Sequence, residues 1–363
     1  MADWSSRMKA AAACAAAAAL MIGVAGTAGV ARAQDHTMAI AHLSPGSLDN
    51  AIQVALTHFK SQVESKTDGA VEVEIFAAGQ LGSEVETAKQ AQGGDLLQST
   101  IISSGAMSSF YPRYQVITAP FLFPNYRVAH AFFDGEWFAD FMSGTVEEAG
   151  LRYLGTFDDG GGFVAFTNNE RLIKTPADIE GLKIRVEENP AHVATMKALG
   201  ASATPLPWGE VITALSTGLA DGQFNAPGVS RNFKLWEVND YTTLSGHVYN
   251  SQAWLVSEEW FQSLPQEYQE AIVTSAREAI ELAHGINSLY SIIGWEMSCE
   301  EFKECYVLPA SERDAMAEIA RPAWREWIVN DFGIAESEVD ALLGEVERLT
   351  AELPAEDLER YGR

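Results

Sequence analysis

Residues 181–227 read GLKIRVEENPAHVATMKALGASATPLPWGEVITALSTGLADGQFNAP. Lys183-Ile184-Arg185-Val186 alternates polar and apolar residues, the period of a short strand. Asn189-Pro190 interrupts it. Val193, Met196 and Leu199 then recur at helical spacing, which predicts a helix over 191–199 capped by Gly200. Thr204-Pro205-Leu206-Pro207 predicts an extended connector, because each proline pushes its predecessor out of the helical region. Trp208-Gly209-Glu210 opens a second helix with Val211, Ala214, Leu215 and Leu219 as its apolar face. Asp221-Gly222 is a turn, and Gln223-Phe224-Asn225 begins another strand. This order is that of an α/β unit, and open α/β sheets bind ligands beyond the carboxyl ends of their strands. One cation (Arg185), one amide (Asn225) and one loop aromatic (Trp208) are therefore expected to converge on one crevice.

The same alternation continues upstream. Residues 37–43, 71–76 and 96–102 read as strands. Residues 48–65 read as a helix with Ile52, Ala55, Leu56, Phe59 and Val63 on one face. Ser83 and Glu86 form a capping box at the head of another helix. Helices are expected over 128–141 and 144–149, then a strand over 151–156. Asp158-Asp159 and the three glycines after it predict a flexible crossing point. Downstream, 252–256 reads as a strand and 265–298 as one long helix, with Glu267, Glu270, Arg277 and Glu281 on its solvated face. Residues 311–349 read as helical and acidic. Repeated strand–helix–strand order argues an α/β fold, and 363 residues argue two domains.

Arg7 and Lys9 precede an alanine-rich apolar run, and Ala31-Arg32-Ala33 fits a small-x-small cleavage box. A signal peptide over 1–33 is expected, with cleavage before Gln34, a membrane anchor being the other reading; Cys14 lies inside the apolar run and is not read as a lipid-attachment site. The formal charge is −26, and the leader is itself net positive. Nucleic acid is excluded as a partner class, since phosphate backbones need a cationic surface. Beyond the leader only Cys299 and Cys305 remain. An exported protein can join them as a disulfide; two free thiols are the other reading. No G-x-S-x-G elbow, H-E-x-x-H helix or phosphate-cradling P-loop is present, and no Cys/His cluster has metal-ligand spacing.

Asp178 is followed by G-L-K-I-R-V at 181–186, A-L-G-A at 198–201, P-L-P-W-G-E-V at 205–211, A-L-S-T-G at 214–218 and D-G-Q-F-N at 221–225. Q-L-G at 80–82 and A-P-F-L-F at 119–123 precede them. Linked in this order, the chain resembles the solute receptors of tripartite ATP-independent periplasmic (TRAP) transporters, least clearly after Cys299. The resemblance implies a two-lobed α/β periplasmic binding protein fold, crossed twice by the chain, braced by a long helix and holding its ligand between the lobes. It implies lobes of 34–160 with 251–290 and of 161–250 with 291–363. It also implies a periplasmic, non-catalytic receptor handing a small organic acid to TRAP membrane subunits; no cofactor or metal site is read from the residues, a monomer is expected, and the oligomeric state and a metal bridging the ligand stay open.

Residue by residue, the resemblance makes Arg185 the carboxylate anchor, Asn225 a ligand contact and Trp208 an apolar wall. Alignment on Q-L-G and F-Y-P adds Glu84, Ser103 and Ser104 to the cleft. His42, ending the first strand, is a further candidate. Sialic-acid-binding members carry a second arginine where this chain has Ala165, a glutamate where it has Phe224, and an acid where it has Ser103. Phe224 is thus expected to make the cleft more apolar, and sialic acid is disfavoured as the ligand. Each residue also has a framework reading. Arg185 could pair with Glu187 or Glu188, Asn225 could serve a turn, and Trp208 could cover a core. Glu84 could be a first-turn helix acid, the two serines loop residues, and His42 a hydrogen-bonded framework histidine. The other function classes are a receptor of an ABC-type transporter or sensor, and an exported enzyme.

Overall fold

The computed structural model describes residues 36–353, so the expected leader, its cleavage site and Cys14 lie outside the described residues. Strand β1 (His36–Ala41) leads to helix α1 (Ala51–Lys66), β2 (Val71–Phe76), α2 (Glu84–Gly93), β3 (Ser99–Ser103) and the short α3 (Ser104–Met107). The five apolar residues expected on one face of α1 are all buried. The helix begins later than expected because the Asn50 side chain accepts from Gln53 N, leaving Leu48 outside and exposed. The capping box of Ser83 and Glu86 is present at the head of α2. Leu96, expected in a strand, is exposed, and pairing starts only at Ser99.

Helices α4 (Tyr126–Phe133) and α5 (Glu136–Ala149) follow. The expected break at Phe141 falls instead at Asp134-Gly135, and α5 runs through Gly144. A Cβ at Gly144 would lie 2.7 Å from the Tyr111 hydroxyl, so this glycine makes room for a neighbour and does not end a helix.

The chain then enters β4 (Leu151–Asn168), three times longer than the strand read from sequence. The organising stretch follows as β5 (Lys183–Val186), α6 (Pro190–Ala198), β6 (Ser202–Pro205), α7 (Val211–Thr217) and β7 (Gly222–Asn225). The expected connector at Thr204-Pro205 is an edge strand paired in parallel with β5, where proline is tolerated. Leu219 is exposed and not on the buried face: Gly218, left-handed at φ 72°, ends α7 at Thr217. Next come α8 (Pro227–Phe233), β8 (Tyr241–Ser257), α9 (Glu258–Ser263), the 36-residue α10 (Gln266–Glu301), β9 (Glu304–Val307), α11 (Ala310–Glu326) and α12 (Glu336–Glu352). Glu267, Glu270, Arg277 and Glu281 are exposed along α10, as expected. Cys299 and Cys305 are joined in a disulfide, with Cα atoms 5.2 Å apart.

All strands belong to one sheet in the order β2-β1-β3-β8-β4-β7-β5-β6, with β9 paired to β8. Pairing is parallel within β1–β3 and within β5–β7. The two parallel sets are joined through β4 and β8, which run antiparallel to each other along their whole lengths. Midway, the register jumps from Asp158↔Ser251 to Phe163↔Tyr249. The expected flexible crossing at 158–162 is therefore a wide bulge inside a continuous strand, with Gly160, Gly161 and Gly162 all at positive φ. The long helix α10 packs on α1, on β4 and on α8, so it braces both ends of the crossing. Helix α12 packs back on α4, and α11 on α6. Separate apolar clusters fill the space around each parallel set, one centred on Phe59 and Trp254 and another on Phe166, Ile184 and Phe224. Among the described residues no helix is long and apolar enough to cross a membrane.

Candidate functional site

The carboxyl ends of β3, β5 and β7 and the bulge of the crossing strands meet between the two parallel sets. Arg185, on β5, is 3% exposed. Its Nε and Nη2 both donate to Leu206 O, at 3.0 and 2.6 Å. Its guanidinium stands 5.8 Å from the centre of the Trp208 ring. It makes no ion pair with any described residue, so the pairing with Glu187 or Glu188 that the sequence left open does not occur. A buried guanidinium with a single carbonyl partner keeps unused donors in a fixed fork, the geometry that suits a carboxylate.

Glu187 does something else. Its Oε2 accepts from Ser104 Oγ at 3.0 Å and from Gly105 N at 3.1 Å. The segment after β5 is thereby tied to the turn after β3, across the cleft. Glu84 is fixed by the other serine: Ser103 N donates to Oε1 at 2.8 Å and Ser103 Oγ to Oε2 at 2.6 Å. Burial pushes the Glu84 carboxyl up to about 7 against the lowering effect of Ser103, and Glu187 raises it further. Asp159, in the bulge, is likewise raised to about 7 by burial and by Glu187. Burial lowers the pKa of Arg185, while Glu187, Glu84 and Glu188 oppose the shift. One cation thus faces several carboxylates, two of which are protonated for much of the range below neutral pH.

An amide chain lines the adjoining wall. Asn225 Nδ2 donates to Gln223 Oε1 at 2.6 Å, and Asn225 Oδ1 accepts from Asn250 Nδ2 at 2.9 Å. Gln223 Nε2 donates in turn to Thr167 Oγ1. Asn250 Oδ1 and Gln252 Oε1 are buried carbonyl oxygens without a hydrogen-bond donor. Gln252 lies opposite Ser103 in the β3–β8 register.

Of the residues singled out from sequence, Arg185, Trp208, Glu84, Ser103 and Ser104 come together here, and Asn225 stands in the amide chain beside them. Trp208 is half-buried: its ring packs edge-on against Phe233 at 4.8 Å while the Arg185 guanidinium stands over it. Phe224 requires a correction. It alternates with Asn225 along β7 and so points to the other face, into a cluster with Phe166, His192 and His247. His42 is 3% exposed; its Nε2 contacts Gln53 Oε1, and burial lowers its pKa to about 4, leaving a neutral framework histidine. Ala165, where a second arginine was absent, sits opposite Asn225 in the β4–β7 register. Asp159, Asn250 and Gln252 were not identified from sequence, because only the crossing strands bring them to the cleft.

Two surface cavities, of about 880 and 850 Å3, lie elsewhere and are lined by none of Arg185, Glu84 or Asn225. The Glu187–Ser104 hydrogen bond spans the cleft between the two parallel sets. Residues 43–330 match the family model described as bacterial extracellular solute-binding protein, family 7. The chain belongs to this family. Its members are solute receptors and not enzymes. A solute-binding protein of Verminephrobacter eiseniae (strain EF01-2) is 34% identical over 229 residues, covering 63% of this chain and 67% of the relative. The 2,3-diketo-L-gulonate-binding periplasmic protein YiaO of Escherichia coli (strain K12) is 30% identical, covering 62% and 68%. Among solved structures, the sugar acid binding protein DctPAm of Advenella mimigardefordensis in complex with galactonate is similar, with a TM-score of 0.80 and 27% identity over 86% of this chain and 98% of that one. The two-lobed α/β fold expected from the sequence is the fold of this family 7 receptor.

Proposed function

We propose that this family 7 receptor serves a TRAP transporter in the periplasm, binding a small organic acid through Arg185 and presenting it to the membrane subunits. The observation that carries the reading is the buried Arg185 guanidinium, held by Leu206 O and Trp208 with no carboxylate of its own. The unpartnered amide oxygens of Asn250 and Gln252 favour an acid that also carries donors, such as hydroxyl or ammonium groups. The galactonate and diketogulonate named for two relatives are acids of that kind.

Binding proceeds by closure. The two lobes, 34–160 with 251–290 and 161–250 with 291–363, turn about the bulge in β4 and its partner segment in β8. The closed form is favoured by ligand contacts made to both lobes at once. The receptor works as a monomer after removal of the leader at 1–33, and needs no cofactor. Thermal-shift measurement on ligand-stripped protein, with sugar acids, hydroxy acids, amino acids and dicarboxylates, tests the reading, since native-state binding raises Tm. An acid that stabilises the wild type but not Arg185→Ala supports it. Stabilisation by neutral solutes alone, or equal stabilisation of the variant, sinks it.

A further inference from the structure

Behind the cleft, on the other side of the crossing strands, His130, Asp158 and His284 come together from three different elements. His130 is on α4, Asp158 begins the bulge of β4, and His284 is on the bracing helix α10. Each offers a ligand atom, and these atoms lie within 4.8 Å of one another. His130 Nε2 and Asp158 Oδ2 are 2.8 Å apart. The two imidazole rings stack in parallel, with centroids 3.8 Å apart and planes inclined by 3°. The solute-binding role makes no use of this group.

We propose that His130, Asp158 and His284 bind one divalent transition-metal ion of the zinc class at the joint between the lobes. Three arguments support this site. The first is the donor set. Two imidazoles and one carboxylate are borderline and hard ligands, which suit zinc, nickel or cobalt and disfavour calcium or magnesium. Zinc bonds of about 2 Å place tetrahedral ligand atoms roughly 3.3 Å apart, within reach of small side-chain rotations here.

The second is the outer shell. Ligating histidines and carboxylates are typically oriented by further hydrogen bonds. Tyr249 Oη donates to Asp158 Oδ1 at 2.5 Å, which leaves Oδ2 facing His130. Asn287 Nδ2 donates to the Asp158 backbone carbonyl at 3.0 Å, fixing the strand at this point. Asp134 Oδ2 lies 3.6 Å from His284 Nδ1 and orients that ring. The third is access: the Asp158 side chain is 1% exposed, but those of His130 and His284 are 19% and 11% exposed, so the group opens to solvent on one side. An ion there would clamp the crossing strand to α4 and to the bracing helix, at the segment about which the lobes turn.

The test uses untagged, chelator-treated full-length protein and Zn2+ or Co2+ alone as probe. Calorimetric titration should show one equivalent of Zn2+, and Co2+ should give a d–d absorption band of mixed nitrogen and oxygen ligation. His284→Ala and, separately, His130→Asn should weaken binding at least tenfold, while His58→Ala, on α1 away from the group, should not. The metal-induced rise in Tm should be lost in the two site variants even if their metal-free Tm is unchanged. Equal zinc uptake by wild type and both site variants, or no uptake by the wild type at millimolar Zn2+, would overturn the proposal and leave a hydrogen-bonded His–Asp pair. If either variant does not fold, the other variant and the Co2+ spectrum of the wild type still decide.

Discussion

Glu187 accepts from Ser104 Oγ at 3.0 Å, joining the end of β5 to the turn after β3 across a sequence separation of 83 residues. The same oxygen accepts from Gly105 N, and a Cβ on Gly105 would approach the Glu187 Cβ to 2.8 Å. The link joins the two sides of the cleft without involving Arg185. Glu187→Ala should therefore speed ligand release about tenfold, equivalent to roughly 1.4 kcal/mol, with little change in association. Stopped-flow displacement checks this; an unchanged dissociation rate would show that the link does not hold the closed form.

Arg185→Ala should weaken binding of the organic acid by about 3–5 kcal/mol, the cost of removing one partner of a buried charge pair. Arg185→Lys should not restore it, since an ammonium cannot grip both Leu206 O and a carboxylate with a planar fork. Calorimetry on the ligand found by screening reads both. A loss smaller than tenfold in the alanine variant would remove Arg185 from the role of anchor.

Glu84 has a folded-state pKa of about 7 against its usual 4.5. The folded chain therefore holds the proton over that interval while the unfolded chain has released it. The contribution of Glu84 to stability is present at low pH and is lost as pH rises from about 4.5 through 7. Relative to Glu84→Gln, which does not titrate, the wild type should lose Tm across this window and stay level above it. A Tm difference independent of pH would contradict a protonated Glu84 in the cleft.

Gly162 lies at φ 77°, and a Cβ there would sit 2.5 Å from the Tyr249 ring. Gly162→Ala should cost about 2–4 kcal/mol, combining backbone strain with overpacking. Urea denaturation gives the value. A cost under about 0.5 kcal/mol would mean the crossing strand adapts at this point.

The disulfide between Cys299 and Cys305 closes a short loop between α10 and β9. Cys299→Ser with Cys305→Ser should lower stability by about 2 kcal/mol, as loop-closure entropy predicts for so small a ring. Ligand affinity should not change, because the pair lies away from Arg185 in the sheet, next to β8 at Tyr241–Leu244.

Local pattern made much of the chain legible. The five buried residues of α1, the Ser83–Glu86 box, the exact bounds of β2 and the Lys183–Val186 strand follow from periodicity and capping, which act over a few residues. Where a distant neighbour decides, the reading failed. Gly144 stays helical because Tyr111 packs on it, and β4 continues through three glycines because β8 pairs with it on both sides of the bulge. Phe224 lies in an aromatic cluster for the same reason: strand alternation gives two faces, but only the assembled sheet says which one packs on Phe166 and His247.

By itself, then, the sequence determined the α/β alternation, the long brace and the motif that carries Arg185. These rest on interactions between residues near each other in the chain or on motifs contained in one stretch. Only the tertiary structure decided that Arg185 has no internal carboxylate, that Glu187 meets Ser104 across the cleft, and that Asn250 and Gln252 keep buried carbonyl oxygens without a donor. Asn250 and Gln252 reach the cleft only because two long strands pair over their whole length, and Arg185 meets Leu206 O only because β5 pairs with β6; these are non-local events whose register no short stretch encodes.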